Sequence, residues 1–356
     1  MTPVPVRRFA ERFPALGRTI LLALGLTFFV FAAAKIYFHE SKPSVFLLGD
    51  SGIGNYRLGP GERLQDFLSS KQTGMSVVNW AEPGSTMADY FLQLERGILL
   101  SGKPAVAVIA ISPDKFLDDE MSHRFTDDGA NLRWIPWNSH GLEFFRGLDR
   151  KQRGNAVVQQ FSLPFFALVD AGQAAWIHFV QWPWERDRML RANGDRRLQV
   201  EKASMGTGAA FGSNPIGDEK ALSGTLQAKD AEFLLRSLRE QGIEAVVVLM
   251  PFGNPELMRK TWSTAALANR DRVVDLMKTW LERRKIAYVD FNSPSELAHF
   301  PDSAWDDQVH IKDPKSFAYM TERIGPVLQA RLARVPFRSE SSERDALPNH
   351  VREGAR

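Results

Sequence analysis

The chain has 356 residues, of which 44% are hydrophobic and 24% charged, so it can bury a substantial core and is too apolar to be disordered. Its formal net charge of +3 is accounted for by residues 1–18, which hold four arginines and one glutamate. The balanced remainder has no basic excess to neutralise nucleic-acid phosphates, and the absence of cysteine excludes disulfides, cysteine-ligated zinc and thiol catalysis.

The first predicted element is a transmembrane anchor at residues 19–38, an apolar run interrupted only by Lys35. About 20 helical residues span one hydrocarbon core, and a lysine near the end of a span can extend its ammonium to the interface. Because the basic residues precede the run, we expect residues 1–18 in the cytoplasm and everything after residue 40 outside, which predicts a single-pass protein of the bacterial inner membrane with a periplasmic or extracellular domain. The alternative is a cleaved signal peptide, because the small residues Ala32–Ala34 stand near the end of the run.

Five short apolar runs then alternate with amphipathic stretches. Nearly continuous apolar strands are typical of a parallel sheet covered on both faces, so the pattern predicts a doubly wound α/β domain with a five-stranded parallel sheet. The predicted strands are Ser44–Leu48, Ser76–Trp80, Ala105–Ile111, Ile243–Met250 and Ile286–Phe291. The predicted helices run from a Ser85 N-cap to about Leu100, and over Ala228–Gln241, Asp271–Arg284 and Lys315–Leu332.

The alternation predicts one domain over residues 43–335, with an insertion at about 115–225 and a disordered polar tail at 336–356. Several tryptophans are concentrated in the insertion. Trp182 and Trp184 could stack on sugar rings, or they could be core or interface residues; both interpretations stay open.

A candidate nucleophile follows the first strand, in Gly49-Asp50-Ser51-Gly52. Backbone N–H groups where a strand passes into a loop can stabilise an oxyanion, so Ser51 would be well placed for acyl transfer. The alternative is a tight turn with a capping serine. The segment fits neither the G-x-S-x-G turn nor a phosphate-binding loop.

A candidate base stands just before the last helix, in Asp307-Gln308-Val309-His310. The i, i+3 spacing puts the Asp307 carboxylate beside the imidazole. A carboxylate that accepts from Nδ1–H leaves Nε2 of His310 free to deprotonate a serine. Asp306 is the second choice for the orienting carboxylate, and a surface capping pair is the alternative. The other histidines have no ligand-like spacing, so no metal site is predicted.

In order and position, these segments resemble the SGNH, or GDSL, hydrolase superfamily over roughly residues 43–333. That family has a flavodoxin-like domain with Gly-Asp-Ser after its first strand and Asp-x-x-His before its last helix. The resemblance implies a cofactor-free serine esterase or acyltransferase. It also implies that Gly84, after the second strand, adds its N–H to that of Ser51 in an oxyanion hole; an ordinary loop glycine is the alternative.

The chain departs from the family after the third strand, where Ile111-Ser112-Pro113-Asp114 replaces the usual Gly-x-Asn-Asp. Ser112 could supply a hydroxyl to the oxyanion hole in place of the asparagine, or it could cap a helix. A Ser-Pro here, together with an N-terminal span, is similar to the membrane-anchored branch that includes the D-alanyl-lipoteichoic acid biosynthesis protein, and the layout is similar to that of alginate O-acetylation proteins.

The resemblance to this branch implies transfer of an acyl group to a cell-surface or secreted polysaccharide, with an acyl donor and a membrane-bound O-acyltransferase as partners. The missing asparagine motivates a rival interpretation. In it, the chain is a catalytically silent subunit that binds polymer or organises such an acyltransferase.

Overall fold

The computed structural model describes residues 25, 44–50, 53, 64–70, 75–82, 84–116, 130–160, 204–205, 207–213, 215–305 and 310–334. The statements below concern these residues. The predicted cytoplasmic segment 1–18, nearly all of the predicted anchor 19–38 and the predicted tail 336–356 lie outside them. No helix within the described ranges is long and apolar enough to cross a membrane.

Five parallel strands form one sheet in the order β2-β1-β3-β4-β5. This is the strand order of flavodoxin-like folds, and it confirms the predicted α/β fold with a five-stranded parallel sheet. Each strand lies within one or two residues of its predicted bounds at either end. The strands are β1 (Val45–Leu48), β2 (Val77–Asn79), β3 (Val106–Ile111), β4 (Glu244–Leu249) and β5 (Ala287–Asp290).

The helices connect and flank these strands. In chain order they are α1 (Leu64–Leu68), α2 (Met87–Ser101), α3 (Ser139–Arg146), α4 (Glu219–Gly224), α5 (Leu226–Glu240), α6 (Pro255–Thr261), α7 (Thr264–Arg283), α8 (Pro294–Leu297) and α9 (Pro314–Leu332). Short 3₁₀ turns occupy Pro113–Phe116, Ala130–Trp134 and Asp302–Ala304.

Both faces of the sheet are covered, which explains why β1 and β3 are apolar at every position. Alternate residues of β1 enter different cores: Phe46 and Leu48 pack in a cluster with residues of α2, α5 and α7, and Val45 and Leu47 pack in a cluster with residues of α1 and α9. Side chains on a strand alternate between its two faces, so a sheet between two helical layers has no solvent-facing side. The fold is therefore doubly wound.

The helix starts differ from the sequence prediction by one to seven residues, and two of them show why. The N-cap of α2 is Thr86 and not Ser85, because the Asp89 carboxylate accepts from both the N–H and the hydroxyl of Thr86, each at 2.9 Å. Helix α7 begins at Thr264, seven residues before the predicted start, with the Ser263 hydroxyl accepting from the N–H of Ala266 as its cap. The capping residues thus override a start inferred from apolar periodicity.

The structure describes only parts of the predicted insertion at 115–225, and its status as an insertion stays a prediction. Several described contacts tie it to the rest of the domain, and one of them lies beside the sheet. The Arg96 guanidinium of α2 lies between the rings of Trp80 and Trp134, 5.4 and 5.3 Å from their centroids. Trp134 belongs to the 3₁₀ turn Ala130–Trp134, and Trp80 directly follows β2. Residues 130–134 are therefore anchored beside the carboxyl end of β2.

Candidate active site

The carboxyl ends of β1 and β2 are joined through the backbone of Gly49. Its carbonyl accepts from the N–H of Glu82 at 3.1 Å and from Nε2 of Gln93 at 2.9 Å, and its own N–H donates to Oε1 of Gln93 at 3.0 Å. Gln93 Nε2 also donates to the hydroxyl of Ser85 at 2.8 Å. One buried amide on α2 therefore contacts the segments that follow both strands.

Gly49 is required by a close approach of the chain to β3. A Cβ at this position would lie 2.6 Å from Cγ2 of Ile53 and 3.2 Å from Cβ of Ala110. Contacts under 3 Å are essentially unknown for real Cβ atoms, so a side chain would force the segment out of place. The chain thus leaves β1 along a fixed path into Asp50.

Gly84 lies in the loop after β2, with a φ of +72°. This left-handed conformation is costly for a residue with a Cβ, so the position favours glycine on backbone grounds alone. The next residue, Ser85, is 1% exposed and is bonded to Gln93. Gly84, which the resemblance assigns to an oxyanion hole, is therefore held in place by the buried Ser85 beside it.

After β3, a cluster of charged residues stands where the family has its asparagine block. The Ser112 hydroxyl donates to Oδ1 of Asp114 at 2.5 Å, and Nζ of Lys115 lies 3.1 Å from Oδ2 of Asp50. Ser112 has a single hydroxyl hydrogen, and in this arrangement it is donated to Asp114 in a hydrogen bond. The ion pair connects the loop after β3 to the residue that precedes Ser51.

The environment of this cluster shifts the pKa values of its members. Burial raises the pKa of Asp114, and attraction to Lys115 and the hydrogen bond from Ser112 only partly offset it. Burial works against the charge of Lys115, but Asp50 and Asp114 outweigh it, so the pKa of Lys115 is raised. Burial and the nearby carboxylates likewise raise the pKa of Tyr90, whose hydroxyl donates to the carbonyl of Ala110 at 3.1 Å. Lys115 therefore stays charged at neutral pH.

His310 directly precedes a bridge that pairs the chain before residue 306 with the chain after residue 310. Trp305 and Ile311 form an antiparallel bridge, and the N–H of Lys312 donates to the carbonyl of Ala304 at 2.8 Å. Both bridge residues are buried, and the indole of Trp305 donates to the carbonyl of Phe300 at 3.1 Å. His310 itself is half-buried. The buried bridge fixes the point from which this histidine projects.

The other predicted site residues lie outside the described residues: Ser51, Asp306, Asp307, Trp182 and Trp184. Their neighbours along the chain are described. Ile53, two residues after Ser51, and Ile311, directly after His310, belong to the same buried cluster on one face of the sheet. The chain segments that carry the predicted nucleophile and base therefore pack on the same face of the sheet.

Two features of the site escaped the sequence analysis: the Gln93 contacts and the Asp50–Lys115 pair. Gln93 lies 44 residues from Gly49 along the chain, and no local pattern marks a pairing at that separation. Within the described part of the chain, no group of three or more histidine, aspartate or glutamate side chains is placed to hold a metal ion.

No protein-family model matches the chain, and no curated protein matches it. Among solved structures it is similar to a protein named as an acylhydrolase from Bacteroides fragilis, at 13% identity and a TM-score of 0.37 over 82% of this chain and 91% of the other. A GDSL-like lipase from Bacteroides thetaiotaomicron gives 12% identity and a TM-score of 0.37 over 84% and 98%. A protein assigned to the lipolytic G-D-S-L family, from Desulfitobacterium hafniense, is 9% identical, with a TM-score of 0.38 over 80% of this chain and 98% of the other. No residue role follows from likenesses at this level.

Proposed function

We propose that the chain is a membrane-anchored, extracytoplasmic serine esterase or O-acyltransferase of the SGNH type. The observation that carries the proposal is that its two motif-bearing segments pack on one face of the sheet: Ile53 and Ile311 flank the predicted nucleophile and base and belong to one core cluster. The contacts of Gly49 with the loop that holds Gly84 add support, because the proposed oxyanion donors belong to these two segments.

The proposed reaction has two steps. His310 takes the proton of the Ser51 hydroxyl as Oγ attacks the carbonyl carbon of an ester or thioester donor. The N–H groups of Ser51 and Gly84 stabilise the oxyanion, and the protonated His310 then donates its proton to the leaving group. In the second step His310 deprotonates the hydroxyl of a glycan, or water, as its oxygen attacks the acyl-enzyme. The bond from the acyl carbon to Ser51 Oγ then breaks, and the protonated His310 returns the proton to Oγ. Asp307 holds the imidazole in the required tautomer throughout.

The proposed acceptor is a cell-surface or secreted polysaccharide, and the proposed partner is a membrane-bound O-acyltransferase. Trp182 and Trp184 are the proposed contacts to sugar rings, because a flat aromatic face suits the apolar side of a pyranose. These assignments rest on the sequence resemblance and on the position of the domain after a predicted N-terminal anchor.

A silent polymer-binding or scaffold subunit is the second candidate. The hydrogen bond from Ser112 to Asp114 favours it, because the hydroxyl that could replace the missing asparagine amide is already engaged. One oxyanion donor is worth about 2.7–4 kcal/mol where it acts, so its loss weighs against efficient catalysis.

A fluorophosphonate probe on the full-length protein separates the two candidates. We expect Ser51-dependent labelling of the wild type and none of Ser51→Ala. Asp307→Asn should lower kcat about 10⁴-fold with little effect on folding, since the wrong ring nitrogen then carries the proton. His310→Ala should be at least as damaging, and Ser51→Ala with His310→Ala little worse than either alone, because members of one catalytic unit are non-additive.

Asp306→Asn is the matched control and should retain activity. If Asp306→Asn is damaging and Asp307→Asn is harmless, the orienting carboxylate is misassigned. If the wild-type protein is folded but neither labelled nor active, the enzyme proposal is wrong and the scaffold subunit becomes the better interpretation.

A further inference from the structure

Gln93 projects from the middle of α2 and is 2% exposed. Its amide meets the Gly49 backbone twice, through Oε1 and Nε2, and uses the second hydrogen of Nε2 for the hydroxyl of Ser85. A carboxamide offers two N–H donors and one acceptor oxygen, so both donors are in use here.

The two segments that this amide contacts are the two that carry the proposed oxyanion donors. Gly49 precedes Ser51 by two residues, and Ser85 directly follows Gly84. We propose that Gln93 is a positioning residue that fixes the spacing between the N–H groups of Ser51 and Gly84. The inference rests on the proposed function and adds to it a residue that acts through the backbone of Gly49 and the hydroxyl of Ser85.

The contacts of Gln93 are not what holds the strands together. β1 and β2 stay paired through their ladder, through Trp80 N–H to the carbonyl of Leu47 at 2.9 Å, and through Glu82 N–H to the carbonyl of Gly49. Loss of the Gln93 amide should therefore leave the sheet assembled and loosen only the loops beyond it. An oxyanion forms only on the way through the reaction, so misplaced donors lower kcat and leave substrate binding nearly unchanged.

The test compares Gln93→Met with Gln227→Met in the full-length protein. Methionine keeps the length of glutamine and makes none of its strong hydrogen bonds. Gln227 of α5 is a close control, because it is also buried, at 5% exposed, and its amide also bonds to α2. Its Oε1 accepts from the N–H of Met87 at 3.0 Å, and no hydrogen bond joins it to Gly49 or Ser85 among the described residues. The readouts are kcat and KM on a small ester, fluorophosphonate labelling rate and thermal unfolding.

We expect Gln93→Met to lower kcat about 100-fold, the loss typical of a misplacement of roughly 1 Å, with KM changed less than about twofold. Gln227→Met should lower Tm by about as much as Gln93→Met does, and it should keep the wild-type kcat. An unchanged kcat in Gln93→Met, or equal losses of kcat in both variants, would overturn the positioning role while wild-type activity stands. Absence of Ser51-dependent labelling in the wild type would instead overturn the proposed function, and the positioning role with it.

Discussion

Asp114 is the residue whose environment departs most from what its sequence neighbourhood indicates. The sequence offers Ser112 as an oxyanion donor, and the structure shows its hydroxyl bonded to the half-buried Asp114 carboxyl. Burial raises the pKa of this carboxyl, so its charged form is disfavoured in the folded state. For an acid whose pKa is higher in the folded state than in the unfolded state, protonation favours folding. Its contribution to stability is complete below the unfolded-state pKa of about 3.9, and it is lost as the pH rises through the folded-state pKa.

Asp114→Asn should therefore stabilise the protein at pH 8 and have less effect near pH 4. The asparagine Oδ1 can still accept from the Ser112 hydroxyl, and Lys115 keeps Asp50 as its partner. A gain of about 1 kcal/mol would raise Tm by roughly 2–4 °C in a domain of this size. Thermal unfolding across this pH range measures it.

Asp302→Asn, at an exposed position, is the control and should leave Tm at pH 8 nearly unchanged. A lower Tm for Asp114→Asn at pH 8 would mean that attraction between Asp114 and Lys115 outweighs the cost of burial.

At the scale of elements, the sequence predicts the strands well because apolar runs covered on both faces have sharp ends. Strand β3, for example, is buried at every position. Helix starts are less predictable, since Ser85 and Thr86 are both acceptable caps. Contacts with the helix itself decide between them: the Ser85 hydroxyl accepts from Gln93, and Thr86 is bonded to Asp89 in a capping box. Apolar pattern thus predicts the elements, and individual side-chain hydrogen bonds determine where they begin.

Gly97 marks the closest packing of α2 against the sheet. A Cβ there would lie 2.6 Å from both the Phe46 ring and the Trp80 indole nitrogen, two rigid groups that meet edge to face. Alanine gains about 1 kcal/mol in helix propensity, but overpacking a core costs roughly 1–3 kcal/mol. Gly97→Ala should therefore lower the free energy of unfolding by up to about 2 kcal/mol in a denaturant titration.

Gly154 is the matched control, because it lies within the helical residues 150–160 and a Cβ there meets nothing within 4 Å. Gly154→Ala should stabilise by up to about 1 kcal/mol through propensity alone. If Gly97→Ala stabilises the protein to the same degree, the close packing of α2 on β1 is wrong.

For the whole molecule, the sequence predicts best the order in which strands, helices and motifs follow one another along the chain. Motifs that begin at Gly49 and end at His310 enclose almost the entire described sheet, and the parallel arrangement brings strand ends together without any local signal. What sequence does not supply is the network between them. The contacts of Gln93 and the Asp50–Lys115 pair join residues on different elements, so they follow from the fold and not from spacing.

The charge distribution of the whole chain makes the last prediction. The arginines of residues 1–18 precede the apolar run at 19–38, and few basic residues follow it directly. The positive-inside rule then predicts that residues 1–18 stay in the cytoplasm and that the domain is exported. A reporter that is active only outside the cytoplasm should be active when fused after residue 356 and inactive when fused after Arg18. Activity of the Arg18 fusion alone would reverse the topology, and with it an extracytoplasmic polysaccharide as the acceptor, since the domain and the polymer would then lie on opposite sides of the membrane.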